Sequence, residues 1–120
     1  MGHLHQRVRV SGDKAATVPM LVDTGATYSV IPKSIARAAG ITALRPVRMT
    51  LADGRRAKVD AGMAIFRIGN REAPATILVG DVVEPILGVE TLEVLGLAVD
   101  ARRRRLTPTR PYTIRLGGFR

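Results

Sequence analysis

One carboxylate, Asp23, stands at the exit of the apolar run Met20-Leu21-Val22 and inside a tight turn made by Thr24, Gly25 and Ala26. An ionised carboxylate held away from water is costly unless something pairs with it, so packing alone does not explain an acid there. The chemistry open to it is hydrolysis. Two carboxylates sharing one proton cleave a peptide bond without metal or covalent intermediate: one activates water and the other protonates the leaving group. Such a dyad titrates as a pair. Gly25 lets the backbone approach the carboxylate and donate an N–H to it. A plainer reading makes Asp23 the cap of a common turn tripeptide. The flanks favour the chemical reading, because Val30-Ile31-Pro32 follows and the polar turn is enclosed between two apolar strands.

The other candidate groups are weaker. His3 and His5 form a His-x-His pair with no third ligand, and a disordered terminus is the simpler expectation. Asp60, Asp81 and Asp100 occupy turn-like positions and read as turn or capping residues. Ser29 and Ser34 have no accompanying histidine and carry no hydrolase signature. No glycine loop cradles phosphate. There is no cysteine, which excludes disulfides, Cys-ligated zinc and thiol nucleophiles together. The reading calls for no cofactor and no metal.

These groups must be positioned by a small fold. A chain of 120 residues, 46% hydrophobic, has room for one domain with one modest core. Aromatics are 3% of it, which argues against base-stacking platforms. No apolar run spans a bilayer and the N-terminus has no signal-peptide stretch, so the expectation is a soluble, cytoplasmic protein without membrane contact. The net charge of +9 comes substantially from Arg102 to Arg105 plus Arg110, Arg115 and Arg120. That basic end is either a solvated edge or an electrostatic site for nucleic acid or acidic peptides. Without a reading motif, nucleic acid is not the expected partner.

The pattern along the chain is short strands and tight turns. Residues 8–10 and 16–22 flank Gly12-Asp13 as a hairpin, with Pro19 marking an edge or irregular start. Residues 28–31 read as a short strand, and Pro32 opens a helix over 35–39 that Gly40 stops. Residues 47–51 and 57–61 make a hairpin turning at Asp53-Gly54. A second hairpin has arms 63–68 and 75–79 around Gly69-Asn70-Arg71. Spacings of three among Val89, Leu92 and Leu95 predict a helix over 89–95 ending at Gly96. Residues 97–99 and 105–106 form a last strand pair, and 112–116 could add one more strand. The result is a mainly β single domain with one or two short helices.

The run Met20-Leu21-Val22-Asp23-Thr24-Gly25-Ala26 resembles the active-site loop of aspartic proteases. Pro85-Ile86-Leu87-Gly88-Val89-Glu90-Thr91-Leu92 resembles the segment that opens the C-terminal helix of the retroviral type. Between them, 64–72 and 75–80 look like the strand pair after the flap. The resemblance covers roughly residues 6–107 and is to the retropepsin-like (retroviral-type, clan AA) aspartic proteases, closest to their bacterial cellular branch. It leaves residues 1–5 as a flexible N-terminus and 108–120 as a basic tail that could supply a dimer-interface strand.

The resemblance implies a retropepsin-like acid protease fold, a closed β barrel-like half that becomes an enzyme as a homodimer, hydrolysing a peptide or protein substrate. Asp23, Thr24 and Gly25 would be catalytic. Ala26, Thr27, Ala52, Asp53, Gly54, Ile86, Leu87 and Gly88 would contact substrate, with the hairpin around Asp53-Gly54 as the flap and Gly88 packed under the catalytic loop. Val30, Ile31, Ile65, Ile86 and Leu87 are the available apolar lining. The chain departs from the family pattern in three places. Its flap tip is charged where viral flaps are glycine-rich. Thr27 stands where viral members usually have an Asp, and Ala26 replaces the Ser or Thr of pepsin-like enzymes, which removes one hydrogen bond to the carboxylate and favours activity at milder pH. The alternative function is a proteolytically inactive peptide-binding or dimerisation module of the same fold.

Overall fold

The computed structural model describes residues 3–50 and 53–111, so Ala52 and a strand over 112–116 lie outside the described residues. Nine strands and two helices follow in chain order among the described residues. They are β1 (His5–Ser11), β2 (Ala15–Val22), β3 (Ser29–Ile31), α1 (Lys33–Ala38), β4 (Arg45–Thr50), β5 (Arg56–Ile68), β6 (Arg71–Val79), β7 (Ile86–Leu87), α2 (Val89–Leu95), β8 (Leu97–Asp100) and β9 (Arg105–Pro108).

Seven strands form one sheet in the order β1-β2-β7-β3-β6-β5-β4, and β1 also pairs with β5. The sheet therefore closes on itself from β1 round to β5, and β4 hangs from β5 outside the ring. Closure follows from alternation: Val8 and Val10 are buried while Arg7 and Arg9 are exposed, so β1 has one face for the core and one for water. Phe66, Met20, Ile31, Ile77, Leu87 and Leu95 fill the centre without exposure. The helix α2 lies on β6, contributing Leu92 and Leu95 to that core. The residue after α2, Gly96, takes a left-handed conformation at φ 70, which ends the helix at low steric cost.

Pro19 is accommodated as an edge. The Leu21 N–H bonds the Pro85 carbonyl on the side away from β1, and with a period of two the Pro19 nitrogen faces that same side. The pairing of β2 with β7 begins only at Leu21, so no ladder bond is lost at Pro19.

The sequence expectation needs correction in three places. First, residues 56–68 are one strand of 13 residues, not the arms of two separate hairpins. Gly62, which lies between the two expected arms, marks a close approach: a Cβ there would lie 2.7 Å from the Ala43 carbonyl oxygen. Second, β1 begins at His5 and the Leu4 carbonyl accepts the Val22 N–H, so ladder structure reaches into the segment read as a flexible terminus. The His5 ring also pairs with Glu84 at 2.7 Å. Third, Asp60 is inside β5 opposite Pro46 and Val79, and is not a turn residue.

The β1–β2 turn caps α1. The Gly12 and Lys14 N–H groups both reach the Ala39 carbonyl, at 2.8 and 3.1 Å, and the Asp13 N–H reaches that of Gly40 at 3.0 Å. A Cβ on Gly12 would sit 2.5 Å from the Gly40 oxygen. Gly69 is the opposite case, with φ +62 and nothing within 4 Å of an added Cβ. In urea unfolding Gly12→Ala should cost about 2 kcal/mol or more, because backbone must move. Gly69→Ala should cost only about 1 kcal/mol, the conformational penalty alone. Equal losses would show that the Gly12 contact does not hold the hairpin to α1.

Candidate active site

The elements around Asp23 are threaded so that its loop cannot collapse. β7 is inserted between β2 and β3, parallel to the first (Leu21↔Ile86, Val22↔Leu87) and antiparallel to the second (Val30↔Ile86). The chain between β2 and β3 must therefore bulge over the end of β7. Asp23 is tied to that strand by its N–H, which donates to the Leu87 carbonyl at 3.0 Å. The turn closes with the Ala26 N–H on the Asp23 carbonyl at 3.1 Å and the Gly25 N–H on Asp23 Oδ1 at 2.9 Å. A Cβ at Gly25 would stand 3.2 Å from that same oxygen, tighter than ordinary contact. The other oxygen, Oδ2, has no hydrogen bond among the described residues. Asp23 is half-buried, while Thr24, Gly25 and Thr27 are exposed and Ala26 is half-buried.

Beneath the loop lies the start of α2. Its first N–H groups have no partner within the helix, and the loop supplies carbonyls to them. Val89 N–H bonds the Ala26 oxygen at 2.8 Å and Glu90 N–H the Thr27 oxygen at 2.9 Å. The fit is close. A Cβ on Gly88 would be 2.5 Å from the Tyr28 carbonyl carbon and 2.9 Å from the Ala26 oxygen, which is the packing expected of this glycine. Two fully buried hydroxyls complete the joint: Ser29 Oγ accepts the Gly88 N–H at 3.0 Å and lies 2.6 Å from Thr91 Oγ1. Sequence reasoning considered Ser29 only as a nucleophile and did not single out Thr91 as a polar contact. The available signal was a small hydroxyl in an otherwise apolar strand and another in the first turn of a helix. Glu90 then anchors α2 to β6, accepting the Thr76 N–H at 2.8 Å.

The hairpin of β4 and β5 projects from the body. Residues 45–50 are exposed except for half-buried Met49. At its tip the Asp53 carboxylate accepts the Arg55 N–H at 3.0 Å and Arg55 Nε at 2.6 Å. The Arg55 backbone N–H, and after it the guanidinium, hold the Asp53 carboxyl below the usual carboxylate range. A lowered folded pKa means that this contact orders the tip at neutral pH and is lost as pH falls through the folded value. Gly54 is exposed, with φ +86.

Under this hairpin is a cavity of about 360 Å³ lined by Val30, Met49, Ala57, Val59, Leu78 and Val82, with Lys58, Gly80 and Asp81 completing its wall. The register Met49↔Ala57 and Val47↔Val59 puts Met49, Ala57 and Val59 on one face of the hairpin. Among the apolar residues expected to line a cleft, Val30 and Ile86 are half-buried and directly paired. Ile31 and Leu87 belong instead to the core at 0% exposure, since β3 and β7 turn them inward. Ile65 pairs with Ser11 and Pro74 on the β1–β5–β6 surface and is not part of this wall. Leu87 and Gly88 thus shape the loop from below. On the other side of the Asp23 loop, a cavity of about 460 Å³ is lined by His3, Leu4, Val22, Thr24, Val99, Ala101 and Arg104.

The Gly88 joint makes a direct prediction. Ser29→Ala strands the buried Gly88 N–H and the Thr91 hydroxyl, and should lower unfolding free energy by about 1–3 kcal/mol in denaturant titration. Thr91→Val, which leaves Ser29 able to accept from Gly88, should cost less. The reverse ranking would remove Ser29 from its role as the link between loop and helix.

The model of the gag-polyprotein putative aspartyl protease family matches residues 7–94, from β1 through nearly all of α2. No curated protein matches the chain. The match includes the Asp23 loop, the β4–β5 hairpin, β7 and the Gly88 joint. On that span of sequence the chain belongs to this retropepsin-like aspartyl protease family.

Proposed function

We propose that the protein is an aspartic-type endopeptidase that works as a homodimer, with Asp23 of each copy facing the other across a two-fold axis. The observation that carries this is the Asp23 carboxylate itself. It is half-buried and tied at one oxygen by the Gly25 N–H, with its second oxygen uncommitted, in a chain that has one such loop. A lone carboxylate so placed cannot act as acid and base at once. A two-fold supplies the second from an identical loop.

In the dimer the two carboxylates hold one proton between them, because like charges in contact do not both ionise. The ionised one takes a proton from a water whose oxygen attacks the carbonyl carbon of the scissile peptide. The protonated one gives its proton to the carbonyl oxygen, leaving a neutral tetrahedral diol. Collapse of the diol breaks the C–N bond as the carboxyl proton passes to the leaving nitrogen, while a diol hydroxyl gives its proton to the ionised carboxylate, so the dyad again holds one proton. Thr24, exposed beside Asp23, would bond to its symmetry mate and fix the two loops in register. The β4–β5 hairpin would close over the peptide and exclude water. Met49, Val59, Leu78 and Val82 would receive an apolar side chain of the substrate in the cavity beneath it.

Asp23→Asn should leave the fold and dimer intact and reduce cleavage of an unbiased peptide library by at least about 10²–10⁴-fold. Equal cleavage by both forms would remove Asp23 from the chemistry. No cleavage by either, with a normal dimer, would favour the inactive peptide-binding module. The wild-type rate should be bell-shaped in pH, since the reaction needs one carboxyl protonated and one ionised. A sigmoid profile would contradict a shared-proton pair.

A further inference from the structure

Residues 101–120 contain seven arginines and no Asp or Glu. Four of them, Arg102 to Arg105, make the turn between β8 and β9 and open β9, and all four are exposed. The turn lies beyond the span matched by the family, which ends at residue 94. One carboxylate serves it: Asp100 accepts the Arg103 N–H at 3.1 Å and stands 3.8 Å from Arg103 Nε. Arg102, Arg104 and Arg105 have no ion pair among the described residues. Arg104 has a left-handed backbone at φ 53, where glycine or asparagine would sit with less strain. A strained cation at a turn tip points to a role other than folding.

Arg104 also lines the cavity of about 460 Å³ that contains Thr24. Among the described residues lining that cavity there is no Asp or Glu, and Arg104, His3 and Thr24 are the ones with polar side chains. If two copies meet at Thr24, each brings to the same axis a turn in which Arg102, Arg104 and Arg105 have no ion pair among the described residues. Each copy already carries a formal +9, and like charges within a Debye length of about 10 Å oppose the encounter. We propose, resting on the homodimer reading above, that the paired Arg102–Arg105 turns form one anion site beside the Thr24 contact. A multivalent phosphate anion bound there draws the two copies together.

The fork of a guanidinium matches phosphate oxygens in pairs.

Sedimentation velocity of the full chain tests this at low ionic strength, with inorganic tripolyphosphate, with sodium chloride of equal ionic strength, and with poly-glutamate of equal charge. Tripolyphosphate should tighten the dimer about tenfold or more beyond the sodium chloride control, as a ligand selective for the dimer must. Arg104→Gly relieves the backbone strain and removes one charge from each turn. It should raise the melting temperature, dimerise more tightly without phosphate and respond less to it. Arg37→Gln, which changes net charge equally on exposed α1, should respond as wild type does. A sodium chloride effect equal to that of tripolyphosphate would reduce the turns to a screened patch and overturn the site. A response to poly-glutamate alone would overturn phosphate in favour of an acidic protein partner. A wild-type dimer indifferent to every anion would overturn this inference and leave the homodimer reading standing. A chain that stays monomeric in all arms would overturn both.

Discussion

The contact between Gly88 and the loop above it is the constraint on which the rest of the site depends. With no side chain at this position, the start of α2 comes within hydrogen-bonding distance of the Ala26 and Thr27 carbonyls. The same approach lets Ser29 reach the Gly88 N–H and Thr91. The two buried hydroxyls both find partners within the joint, and no buried side-chain polar atom among the described residues lacks one. Its geometry fixes where Asp23 stands, because the loop is pinned at its far end by α2 and at its near end by Leu87. A polar turn is thereby pinned at both ends in an apolar setting.

Much of this architecture was legible in the sequence, for local reasons. Gly12-Asp13, Asp53-Gly54 and Gly69-Asn70 sit at the turns they announce, and Gly40 and Gly96 end the two helices. Alternation placed Val8, Val10 and Phe66 in strands, and the spacing of Val89, Leu92 and Leu95 placed α2. What escaped depends on contacts distant in sequence. Gly62 lies between the two expected arms, yet its role is to admit the Ala43 carbonyl. Ser29 and Thr91 are 62 positions apart and look unremarkable singly. The apolar wall under the hairpin comes from register between β4 and β5, which residue type alone does not give. Ile31 and Leu87 look like cleft lining in a list of apolar residues, but strand orientation turns them into the core.

The carboxylate loop itself was the easier half of the problem. An acid between two apolar strands stands out, and one glycine two residues on is enough to suggest an N–H for it. The harder half was β7, only two residues long, which separates the strands on either side of Asp23. Its pairing is partly parallel and partly antiparallel, and so short a strand has no periodicity to read. The Ile86-Leu87-Gly88 segment was identifiable by resemblance, and its mechanical function became visible only in three dimensions.

The unbroken strand β5 has a mechanical consequence for the hairpin it carries. Its 13 residues make up about 40 Å of strand at ~3.3 Å per residue, pairing with β6 along residues 60–68, with β1 at 65–67, and with β4 at 56–61. It is a cantilever, clamped at one end in the closed ring and loaded at the other by the hairpin. A cantilever has no pivot. A displacement of the tip would therefore spread as twist along the beam and reach the clamped seam between β1 and β5.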